Sequence, residues 1–180
     1  MKFITRIIFN AALLLVASLV LQNAASAQTS DRLQMPEGQT FVLSAEGVGY
    51  QIYTSEPKAG STTQFEWKFK EPQATLYSNS DKKIGKHYAG PTWESKDGSK
   101  VVGKKIQEVP APKTHDIPWL LVEATSHEGE GTFSKVSYIL RVDTVGGIAP
   151  THAPTEKGKE ARVKYRATYL FLAPAETKSQ

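Results

Sequence analysis

The 180-residue chain has no cysteine, which excludes a disulfide scaffold, a thiolate metal site, a cysteine nucleophile and the cysteine of a bacterial lipid anchor. It has little excess charge, with 22 Lys and Arg against 18 Asp and Glu. That balance is too even for a nucleic-acid binder, whose phosphate contacts are ionic. Beyond residue 21 no apolar run is long enough to span a bilayer. Helical periodicity is missing too: from Gln28 onward no window carries apolar residues at i, i+3, i+4 and i+7. With 39% hydrophobic and 22% charged residues, the composition is that of a globular domain, neither coiled coil nor disordered chain.

What is present begins with an address. Residues 1–27 join a basic start at Lys2 and Arg6, an apolar run over 7–21 interrupted by Asn10, and the small-residue site Ala25-Ser26-Ala27. These are the three parts of a cleaved secretory signal. The expectation is an exported protein, periplasmic or secreted, whose mature chain is one all-β domain over 28–180 with no membrane span. Loss of Lys2 and Arg6 leaves 20 basic against 18 acidic residues, a balance that steers polyanions only weakly.

Period-two alternation runs through the mature chain. Phe65, Trp67 and Phe69 alternate with Glu66, Lys68 and Lys70, and Pro72 is expected to end that strand. Ala74 and Leu76 mark a separate short strand. Val48, Tyr50, Ile52 and Thr54 form one face opposite a mixed face of Gly49, Gln51, Tyr53 and Ser55. Residues 119–122 are apolar at every position, as in a strand covered on both sides. Gly129-Glu130-Gly131 then separates a hairpin partner in which Val136, Tyr138, Leu140 and Val142 are expected to face the core, with Ile139 and Arg141 on the other side. In the last strand Val163, Tyr165, Ala167, Tyr169 and Phe171 face inward. The fold class these patterns predict is an all-β, single-domain β-sandwich or small β-barrel of seven or eight mostly antiparallel strands. The proline-rich stretch 109–114 and the long connection 146–158 read as loops.

Chemistry concentrates at His87-Tyr88-Ala89-Gly90-Pro91-Thr92-Trp93-Glu94. A Gly-Pro turn lets backbone approach a ligand closely, and flat rings suit a planar group. The same residues also suit a tight turn with Trp93 as a core anchor and His87 bonded to nearby backbone. His87 and Glu94 are weak candidates for a catalytic acid–base couple, since a carboxylate can orient an imidazole. Arg141, with Thr144 close behind, can grip a carboxylate belonging to a ligand or to a neighbouring strand. The candidate ligand rim is therefore His87, Tyr88, Trp93, Trp119, Arg141 and Thr144. His87, His115, His127 and His152 show no i, i+2 or i, i+4 pairing, so no metal site is assigned. Arg162, Lys164 and Arg166 form a basic stripe, read as a solvated face that is also open to an envelope polyanion.

The segment KIGKHYAGPTWESKDGSKVVG at 83–103, with IPWLLVEA at 117–124 and RVDTVGGIAP at 141–150, resembles the bacterial and fungal family designated domain of unknown function 3455. The likeness extends from VGYQIYTS at Val48 to YRATYLFL at Tyr165. It implies an exported, mostly β domain without an established role. Some fungal members carry dehydrogenase names, but this chain has no strand-turn-helix unit with a G-x-G-x-x-G run, so no dinucleotide or other cofactor is expected. Similar members often have a cysteine where Ser55 stands and another in the loop at 151–157. Both are absent here, and the loop is expected to be less tightly held. The reading that results is a non-catalytic module binding a small molecule or a cell-envelope component. The alternatives are an extracytoplasmic hydrolase or isomerase using His87, and a purely structural surface protein.

Overall fold

The computed structural model describes residues 32–176, and the expected signal segment lies outside them. Eight strands follow in chain order: β1 (Gln39–Pro57), β2 (Phe65–Tyr77), β3 (Lys83–Tyr88), β4 (Thr92–Ser95), β5 (Lys100–Val109), β6 (Trp119–Glu128), β7 (Tyr138–Gly146) and β8 (Glu160–Pro174). Each pairs antiparallel with the next, and β8 returns to β1, so the sheet closes as an up-and-down barrel. Closure removes the two sheet edges that an open meander would expose. No helix of the described residues is long and apolar enough to cross a membrane.

The interior is packed at one end and open at the other. At the closed end, Phe133 from the β6–β7 connection stacks on Phe171 with ring centroids 4.5 Å apart, and Phe171 meets the edge of Trp93 at 6.4 Å. Trp93 and His87 stack at 4.3 Å, and Tyr169 sets its ring edgewise against both. This column of rings has room because β1 lines the lumen with Ala45 and Gly47: a Cβ on Gly47 would lie 2.4 Å from Tyr169 Cε2. Asp97 fastens the closed end. Its carboxylate accepts from the backbone and hydroxyl of both Ser99 and Thr132, and Ser99 Oγ accepts the Phe133 N–H. Those donors hold the Asp97 carboxyl well below the usual range.

Several strand assignments change once the barrel is formed. Pro72 does not end a strand. It lies buried inside β2, which carries a register shift opposite Ile52 and Tyr53. Before the shift Trp67 and Phe69 pair with Ser55 and Tyr53; after it Pro72, Ala74 and Leu76 pair with Gln51, Gly49 and Gly47. One bulged strand therefore reads in sequence as two, because a bulge moves the inward positions from odd to even numbers. In β7 the expected faces are reversed. Ile139 joins the interior cluster, whereas Leu140 packs with Leu121 and Leu172 against Tyr138, Val142, Leu170 and Leu33. The second group is an outer apolar cluster covered by the segment before β1, which bonds to the Gln107 side chain through Gln34 N–H and Arg32 C=O. That cover explains why 119–122 is apolar throughout.

Candidate functional site

At the open end the wall is split. β3 pairs only with residues 74–77 of β2, and β4 pairs only with residues 100–102 of β5. Above the short β3–β4 hairpin, the first half of β2 and the second half of β5 therefore have no strand between them. Pro72, which cannot donate to a ladder, lies in the part of β2 that pairs with β1 alone. Behind this notch is a cavity of about 510 Å³. Its rim is Phe69 and Lys70 of β2, the turn Ala89-Gly90-Pro91, and Lys105 and Glu108 of β5; His87, Trp93 and Tyr169 line it deeper down. Gln51, Tyr53, Leu120, Val122 and Arg141 complete the walls, with Ile117 and Pro118 from the β5–β6 loop.

Of the residues singled out from sequence, His87, Trp93 and Arg141 meet in this cavity. Tyr88 and Glu94 do not. They neighbour His87 and Trp93 on their strands and so point to the outer side of the wall, where the Tyr88 hydroxyl donates to Glu94 Oε2 at 2.8 Å and Lys86 pairs with Glu94 at 3.2 Å. The Tyr88 hydroxyl and the Lys86 charge hold the Glu94 carboxyl below its ordinary range. The His87–Glu94 couple suggested by spacing is thus not formed, because adjacent strand positions face opposite ways. Trp119 precedes the cavity residue Leu120 and lies outside the lining; its buried Nε1 has no partner. Thr144 is buried away from the cavity and donates to the Ile117 carbonyl at 2.6 Å, pinning β7 to the loop.

His87 is wholly enclosed. A carbonyl can only accept, so Nδ1 carries the proton and donates to Thr92 O at 2.9 Å, leaving Nε2 as an acceptor. Burial, reinforced by the Arg141 charge, lowers its pKa to about 3, although the bond to Thr92 works the other way. The ring is therefore neutral at physiological pH. Arg141 donates twice to one oxygen, the Pro118 carbonyl, through Nε at 3.2 Å and Nη2 at 2.8 Å. Among the described residues no carboxylate forms an ion pair with it. The Tyr53 hydroxyl donates to Gly147 O at 2.6 Å, tying the long connection to the cavity wall. No group of three His, Asp or Glu residues among the described residues is placed to hold a metal ion.

The other anticipated features fall outside the cavity. Arg162 bonds to Gln73 and covers the Tyr50 ring, and Arg166 pairs with Glu46, so much of the basic stripe is engaged with its own surface. Ser55 holds the loop that follows β7: its Oγ donates to Glu156 O at 2.6 Å, its N–H donates to Lys159 O, and its carbonyl accepts from Gly158 N–H. The loop is thus tied at the position where similar chains often have a cysteine. Sequence reasoning missed Gln51, Tyr53 and Tyr169 as cavity residues. The mixed face of β1 was their available signal, because it lines a lumen that is only partly filled.

A closed eight-stranded meander with one packed and one hollow end belongs to the class of small barrels whose interior either fills with side chains or retains room for one small ligand. A family model described as "Protein of unknown function (DUF3455)" matches residues 36–173, and the chain belongs to that family. No curated protein and no solved structure matches the chain.

Proposed function

We propose that this is an exported, non-catalytic binding protein that holds a small molecule, or a small fragment of the cell envelope, in the hollow end of its barrel. The observation that carries the proposal is the cavity of about 510 Å³, which falls within the range of small-ligand sites and combines apolar walls with a few polar groups. The packed aromatic column forms its floor, and the notch between β2 and β5 provides the way in. Export rests on the three-part pattern of residues 1–27. Against the enzyme alternative using His87, Glu94 faces the outer side of the wall and does not orient the imidazole.

The test is a thermal-shift screen of organic acids, sugars and aromatic metabolites on the mature protein and on Leu120→Trp, which fills the cavity from its wall. Ligands of the cavity should raise the midpoint of the native protein by a few degrees at saturating concentration and leave the filled variant unmoved. Equal shifts in both proteins, or a flat screen, would overturn the reading.

A further inference from the structure

We propose that the cavity is selective for anions and takes a planar, ring-containing carboxylate, with the carboxylate on Arg141 and the ring body among Tyr53, His87, Trp93 and Tyr169. This rests on the reading of the cavity as a binding site and adds the chemical class of its occupant.

The first support is unbalanced charge. A guanidinium has five N–H donors in a rigid fork, and the Pro118 carbonyl accepts from two of them. The other three have no acceptor among the described residues. The remaining cations of the lining are already neutralised, Lys70 by Glu160 and Lys105 by Glu108. A half-buried cation without a counter-charge costs stability, and a fork matched to a carboxylate is a usual way to supply one. Arg141 lines the cavity, close enough for its charge to bear on the ionisation of Tyr53, His87, Tyr165 and Tyr169.

The second support is shape: the rings of Tyr53, Phe69, His87 and Trp93 and the prolines 72, 91 and 118 stand among the lining residues, and rigid flat walls favour a flat body over a flexible chain.

The test is isothermal titration of the mature protein with 2-naphthoate, indole-3-acetate and trans-cinnamate, each beside its neutral primary amide. The acids should bind at least about tenfold more tightly than the amides, as expected for a charge-assisted pair. Arg141→Gln should abolish the preference for acids over amides, and Arg141→Lys should retain part of it. Equal affinity of acids and amides in the native protein overturns the anion inference while the cavity reading stands, and it needs no variant to fold. A preference for acids that survives Arg141→Gln also overturns it. Absence of binding by either class overturns both readings.

Discussion

Because His87 is neutral in the fold and free to take up a proton in the unfolded chain, it makes stability depend on pH. Its folded pKa of about 3 lies below the ordinary 6.5. The unfolded state therefore binds more protons between those values, and stability that is complete above pH 6.5 is lost progressively as pH falls toward 3. Between pH 7.5 and 5 the expected loss is about 2 kcal/mol. Urea unfolding at the two pH values should show it, and His87→Gln should abolish most of the difference. The depressed carboxyls of Glu94, Asp97 and Glu160 contribute with the same sign, but only below their ordinary values near 4, outside this window. An unchanged slope in the variant would mean that His87 is not held neutral by burial. The sequence marked His87, Trp93 and Arg141 as chemically loaded. It did not reveal that Arg141 is the residue without a counter-charge, because that depends on which carboxylates the barrel brings to other positions.

The β3–β4 hairpin is the short element that opens the wall, and its turn has little freedom. Gly90 has φ of +122°, a conformation that L side chains rarely adopt, and a Cβ there would lie 2.6 Å from Thr92 Oγ1. Thr92 in turn donates to Ala89 O and accepts from His87 through its carbonyl. Gly90→Ala is expected to cost roughly 1–3 kcal/mol, read as a lower urea midpoint with an unchanged slope, and to disturb the His87 ring that lines the cavity. A variant as stable as the native protein would show that the turn has room to relax. The alternation of β8 and the interruption at Gly90-Pro91 were both legible, since each is local. The bulge in β2 and the reversed faces of β7 were not. Leu140 and Ile139 are equally apolar, and only the outer cluster under Leu33 decides which of them is interior.

Across the whole molecule the barrel divides its work between its ends, and the division sets how each tolerates a change in volume. The closed end is a continuous stack from Phe133 to Trp93 with Phe133 almost wholly buried, so removing a ring there leaves a void with no slack to absorb it. Phe133→Ala should cost about 3–5 kcal/mol. At the open end the space already exists, and Leu120→Trp adds volume to a cavity, so the overpacking penalty of a filled core does not apply and the change in stability should stay within about 1 kcal/mol. Equilibrium urea unfolding of both variants measures the contrast directly. Its physical content is that the hollow end is kept by architecture, through the short β3–β4 hairpin that leaves β2 and β5 with no strand between them. If Leu120→Trp instead proved as damaging as Phe133→Ala, the space behind the notch would be filled by the protein's own side chains in solution, and a ligand would have to displace them to enter.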